Sequence, residues 1–146
     1  MPQPQQSSPV RVLLADASAV TRAEVAKVFA AQAVAVIQCA RAADVVPFAC
    51  EHQADVVLLD ATMAELDAAQ CVGELDRNTN TRSTVVVLTC PRDIDVTRLA
   101  ALEATGALLV LVKPLTRDGV LQAMRQALAE SGERRSKSGA GRRHAA

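Results

Sequence analysis

The chain has 146 residues, half of them hydrophobic, and its 16 basic and 16 acidic residues cancel; this suits one domain with short tails. It has no Trp or Tyr and only two aromatics, Phe29 and Phe48, which argues against stacking on nucleic-acid bases. No apolar run approaches the roughly 20 residues of a membrane span, and Met1 to Pro9 lack the basic-then-apolar pattern of a secretory leader, so a cytoplasmic location with no membrane contact is expected.

Residues 1–9 are rich in Pro, Gln and Ser and read as a disordered N-terminal tail. A first strand is predicted over about 10–16, ending Val12-Leu13-Leu14-Ala15-Asp16. Ser18 suits the N-cap of a helix over about 19–32, with Val25, Val28 and Phe29 on one face. A short strand follows at about 33–38. Asp44 is the expected cap of a second helix, which puts Pro47 in the first turn, where its missing N–H has no helical partner to lose. The third strand, Ala54-Asp55-Val56-Val57-Leu58-Leu59-Asp60, closes on an acid. A helix over about 65–77 carries Leu66, Cys71, Val72 and Leu75. The fourth strand is Val85-Val86-Val87-Leu88-Thr89. Asp93 or Asp95 caps a helix that runs to about Thr105 and ends at Gly106. The fifth strand covers about 107–112, and Thr116 caps a last helix with Leu121, Met124 and Leu128 in one stripe.

Five continuous apolar runs alternating with five helices predict an α/β fold, a parallel sheet covered on both faces. Right-handed crossovers leave few topologies. The flavodoxin-like (βα)5 doubly wound sheet, strand order 2-1-3-4-5, is the one expected for the domain at 10–130. No glycine follows the first strand in Asp16-Ala17-Ser18-Ala19-Val20, which counts against a flavin, dinucleotide or P-loop nucleotide site.

Charge is unevenly spread. Residues 131–146 hold five basic residues (Arg134, Arg135, Lys137, Arg142, Arg143) and one acid, Glu133, leaving the rest of the chain at −4. This basic, Gly/Ser-containing end reads as a disordered C-terminal tail. The four cysteines, Cys39, Cys50, Cys71 and Cys90, form no CxxC pair, so zinc is not expected and reduced, mostly buried thiols are. Cys90 stands out because it follows Thr89.

Asp16, Asp60, Thr89 and Lys113 each sit at or just past the carboxyl end of a predicted strand. In an open parallel sheet those ends form one rim, where ligands bind. Two carboxylates, a hydroxyl and an amine there make a candidate site for Mg²⁺ and a phosphoryl group. Taken singly, each has a structural explanation, since strand-end Asp and Thr often cap helices.

Residues 10–130 resemble the receiver domain of bacterial two-component response regulators. The likeness rests on Arg11-Val12-Leu13-Leu14-Ala15-Asp16, on Asp55 to Met63 followed by Asp67, on Val85 to Thr89, and on Lys113-Pro114, in order and at spacings of 44, 29 and 24 residues from Asp16 through Asp60 and Thr89 to Lys113. The resemblance implies Asp60 as phosphoacceptor and Asp16, Asp60 and the Thr62 backbone carbonyl as Mg²⁺ ligands. Lys113, before a cis proline, would neutralise the phosphoryl oxygens, and Thr89 would donate to them. A carboxylate can attack phosphorus directly, and the reaction mainly requires positioning and charge neutralisation.

The chain departs from the family pattern at four places. Ala17 stands where a second adjacent acid is usual, so Mg²⁺ binding should be weak. Ala64 replaces a proline, Asp67-Ala68 replaces Asp-Gly, and Val110 stands where the fifth strand usually carries a switch aromatic. The resemblance implies a stand-alone or excised receiver. It would take a phosphoryl group from a histidine kinase or phosphotransfer protein and signal by docking an effector on the helix 4–strand 5–helix 5 face; a homodimer is left open. The stretch after Leu128 is too short for a helix-turn-helix domain, and no direct nucleic-acid binding is expected. Beyond self-phosphorylation and dephosphorylation no enzyme activity is expected. The alternative is a pseudo-receiver, a phosphorylation-independent interaction module. A haloacid-dehalogenase-type enzyme would want an acid at position 62, where Thr62 stands.

Overall fold

The computed structural model describes residues 9–145, with side chains through Lys137. The expected tail before Pro9 therefore lies outside the described residues. Five strands, β1 (Val10–Ala15), β2 (Val34–Cys39), β3 (Val56–Asp60), β4 (Val85–Cys90) and β5 (Leu109–Val112), alternate with five helices, α1 (Ala19–Phe29), α2 (Val45–His52), α3 (Ala68–Arg77), α4 (Val96–Glu103) and α5 (Arg117–Ala145). All pairings are parallel, in the order β2-β1-β3-β4-β5, as the sequence predicts.

Alternation along the strands divides the core in two, because successive side chains leave opposite faces of a sheet. Val12, Leu14, Val56, Leu58, Val85 and Val87 pack with Val25 and Phe29 of α1 and Val120, Met124 and Ala127 of α5. Leu13, Ala15, Val57, Leu59, Val86 and Leu88 pack with residues of α2, α3 and α4 on the other face. Both faces are apolar, so β3 and β4 are buried throughout.

Several caps follow the sequence. Ser18 Oγ accepts from the Thr21 N–H at 3.2 Å, Asp95 from Arg98 at 2.7 Å, and Thr116 Oγ1 from Gly119 at 3.0 Å. Asp44 makes no side-chain cap. It ends a short 3₁₀ turn over Ala42–Asp44, and its helical backbone is not the extended conformation of a capping residue. Pro47 still falls in the first turn of α2. The third helix starts at Ala68, not near 65, because Asp67 takes the cap role and accepts from Gln70 at 3.0 Å.

The largest departure is at the C-terminal end. A disordered tail is expected from residue 131, yet α5 continues as helix to Ala145. Ser131 is buried. The Arg134 guanidinium donates to the Thr84 carbonyl at 2.9 Å and pairs with Glu130 at 3.1 Å, and Arg135 pairs with Asp55 just before β3. Local composition favours disorder, but contacts distant in sequence anchor the helix as far as Arg135. Its buried stripe is Val120, Ala123, Met124, Ala127 and Ser131, while Leu121 and Leu128 of the predicted stripe are only half-buried.

Candidate functional site

The parallel order brings the carboxyl ends of β1, β3, β4 and β5 side by side. Asp16 immediately follows β1, anchored by its N–H donating to the Cys39 carbonyl at 3.0 Å. Asp60 is the last residue of β3 and pairs in register with Thr89 of β4. Lys113 follows β5, its N–H donating to the Cys90 carbonyl at 2.9 Å, and the Lys113-Pro114 bond is cis.

Three of the four predicted side chains meet directly. The Lys113 ammonium donates to Asp16 Oδ2 at 2.9 Å and to Asp60 Oδ2 at 3.2 Å. Asp16 and Asp60 are each only 7% exposed, and Thr89 is 3% exposed beside them. Two largely buried carboxylates repel one another unless a cation lies between them, and a charge-assisted bridge from one ammonium meets that need. Burial alone would lower the Lys113 pKa; its hydrogen bonds and ion pairs with Asp16 and Asp60 outweigh burial and push it up.

The remaining oxygens are also engaged. Asp16 Oδ1 accepts from the Ser18 N–H at 2.8 Å, and the Arg22 guanidinium donates to the Asp16 carbonyl at 2.6 Å. Asp60 Oδ1 accepts both the Thr62 N–H at 2.8 Å and the Thr62 hydroxyl at 2.7 Å. The sequence reading gave Thr62 a role only through its carbonyl and missed the side chain. The available signal was a hydroxyl residue two positions past an acid at a strand end, the spacing of a local side-chain turn.

The cysteines are free, with Cys39, Cys71 and Cys90 buried and Cys50 half-buried. Burial, then the charge of Asp60, raises the Cys90 thiol pKa, with Lys113 opposing; burial first pushes Cys71 up to about 11. Thiols held protonated in this way are poor nucleophiles.

Asp16, Asp60 and the Thr62 carbonyl are hard oxygen donors, the class Mg²⁺ takes while keeping several waters. The donor set fits Mg²⁺ in kind, one carboxylate short at Ala17. Among the described residues no cluster of three or more acidic, His or Cys side chains is arranged to hold a metal. An open groove of about 420 Å³ runs beside Lys113, lined by Thr21, Glu24, Val25, Arg92 and Leu115.

Among the described residues no helix is long and apolar enough to cross a membrane. A search of curated proteins gives no match. Among solved structures, the signal receiver domain of an HD domain-containing protein from Pseudomonas fluorescens Pf-5 superposes with a TM-score of 0.79 at 19% identity, covering 93% of this chain and 98% of that one. A response regulator receiver domain protein from Clostridium thermocellum gives 0.74 at 18% identity over 84% and 97% of the two chains. The Vibrio cholerae chemotaxis protein CheY4 gives 0.72 at 20% identity over 82% and 99%. At these identities the likeness is one of fold. The family model described as the response regulator receiver domain matches residues 12–125, most of the folded chain, and on that match the protein belongs to the response regulator receiver domain family.

Proposed function

We propose that this receiver accepts a phosphoryl group on Asp60 from a histidine kinase or phosphotransfer protein and passes the signal on by docking a separate effector. The observation that carries the reading is the Lys113 ammonium held between Asp16 and Asp60 on the rim. Asp60 supplies the nucleophilic oxygen. Lys113 carries a positive charge that can follow the incoming phosphoryl oxygens, and Thr89, in register with Asp60, supplies a neutral donor. Asp16, Asp60 and the Thr62 carbonyl would hold Mg²⁺, which when bound neutralises charge on the transferring group. The output face is α4, β5 and α5, where Val96 is 83% and Val112 45% exposed. Incubation with Mg²⁺ and acetyl phosphate should add one phosphoryl mass to the intact protein, and Asp60→Asn should abolish it. No adduct at any Mg²⁺ concentration overturns the reading.

Two positions favour a second reading, a module that docks partners without phosphate. Ala17 removes a metal-ligating carboxylate, and Val110, packed against the core beside Leu88, has no ring to swing between buried and exposed positions. On that reading Asp60→Asn leaves partner binding unchanged, and Ala17→Asp creates Mg²⁺ binding that the native chain lacks.

A further inference from the structure

The Asp60 carboxylate is nearly full. An ionised carboxylate offers about four acceptor sites, two on each oxygen. On Oδ1 both are taken by Thr62, one by its N–H at 2.8 Å and one by its hydroxyl at 2.7 Å. On Oδ2 one is taken by Lys113 at 3.2 Å. About one site is left, whereas a carboxylate that ligates a cation while attacking phosphorus needs two.

The three donors differ in how readily they can leave. The Thr62 N–H is fixed by the backbone of the turn after β3. Lys113 bridges two buried carboxylates and can move only once an arriving cation or phosphoryl group takes up its charge, so it cannot be the first donor to leave. The Thr62 hydroxyl turns away by rotation about one single bond, and Thr62 is half-buried, so water can receive it. We infer that the Thr62 hydroxyl is a latch on Asp60, a positioning group whose release frees the oxygen site that a divalent cation needs and so opens the carboxylate to phosphoryl transfer. The inference rests on the phosphoacceptor reading for its second half only. In that step an Asp60 oxygen forms the bond to phosphorus of an acyl phosphate, the phosphorus–oxygen bond to the donor's carboxylate breaks, and its electron pair leaves on that carboxylate. No proton is transferred.

The test compares the native protein with Thr62→Val, which keeps the shape and removes the hydroxyl, and Thr62→Ser, which restores a hydroxyl. Two readouts are used: Mg²⁺ titration followed by amide shifts of residues 60–63, and the rate of the phosphoryl mass adduct with acetyl phosphate. Removing one charge-assisted hydrogen bond should tighten Mg²⁺ binding and speed labelling, each about tenfold, with Thr62→Ser close to native. Equal Mg²⁺ affinity in the native protein and Thr62→Val, or no Mg²⁺ binding in either, overturns the latch, even if both proteins are labelled. Tighter Mg²⁺ binding in Thr62→Val without any adduct upholds the latch on the cation site and refutes Asp60 as acceptor.

Discussion

Lys113 sets the charge balance of the rim. It is the ammonium that faces both Asp16 and Asp60, and its side chain is 27% exposed against 11% and 9% for the two acids. Lys113→Met leaves two adjacent, largely buried carboxylates with no cation between them. Breaking a pair of this kind costs about 2 kcal/mol or more, somewhat under the fully buried case because water reaches the ammonium. The pH dependence follows from the raised Lys113 pKa. A base whose pKa is higher in the folded state contributes its full stabilisation below the unfolded value and loses it as pH rises through the folded one. Urea denaturation should therefore show a gap between native and Lys113→Met that is flat through neutral pH and narrows only above about pH 10.4; a gap already closing near neutrality contradicts the bridge. At this scale the sequence was legible where a residue's position depends on its place at a strand end, as for Asp16, Asp60 and Lys113, which meet on one rim. For the Thr62 hydroxyl the sequence carried only the two-residue spacing from Asp60, because the aim of that side chain depends on the turn geometry after β3.

Among the elements, α5 shows how long-range contacts override local composition. Its final stretch holds Gly132, Gly139 and Gly141 together with serines, residues that disfavour helix. The sequence therefore reads as a loose basic tail. In the fold, Ser131 is buried and Arg134 reaches the Thr84 carbonyl just before β4. Arg135 is 61% exposed in its pairing with Asp55, so solvent screening leaves that ion pair a minor share. Truncation after Glu130 removes the Arg134 and Arg135 contacts and the packing of Ser131, at a cost of about 1–2 kcal/mol. For a domain of this size the melting temperature should fall by about 2–8 °C, read by circular dichroism. An unchanged melting temperature would show that residues 131–137 add nothing to the fold. Strand order, by contrast, could be read in advance, because continuous apolar runs, crossover handedness and run length all point to one arrangement. Helix starts were legible where a capping side chain accepts its bond, as at Ser18 and Thr116, and not at Asp44, where a 3₁₀ turn intervenes.

On the scale of the whole molecule, one consequence of topology makes the candidate site. Residues separated by as many as 97 positions, Asp16 and Lys113, share a pocket only because β1 and β3 lie centrally with β4 and β5 beside them. The departures at Ala17 and Val110 leave both halves of the core intact and fall where the proposed function would place cation binding and signal output. The most direct measurement of the central claim is a beryllofluoride titration in Mg²⁺, since this anion mimics a phosphoryl group bound to a carboxylate, followed residue by residue through amide shifts. The account predicts saturable shifts at Asp16 to Ser18, Asp60 to Met63, Thr89 and Lys113, all lost in Asp60→Asn. Shifts that persist in Asp60→Asn, or none at these positions, would contradict it.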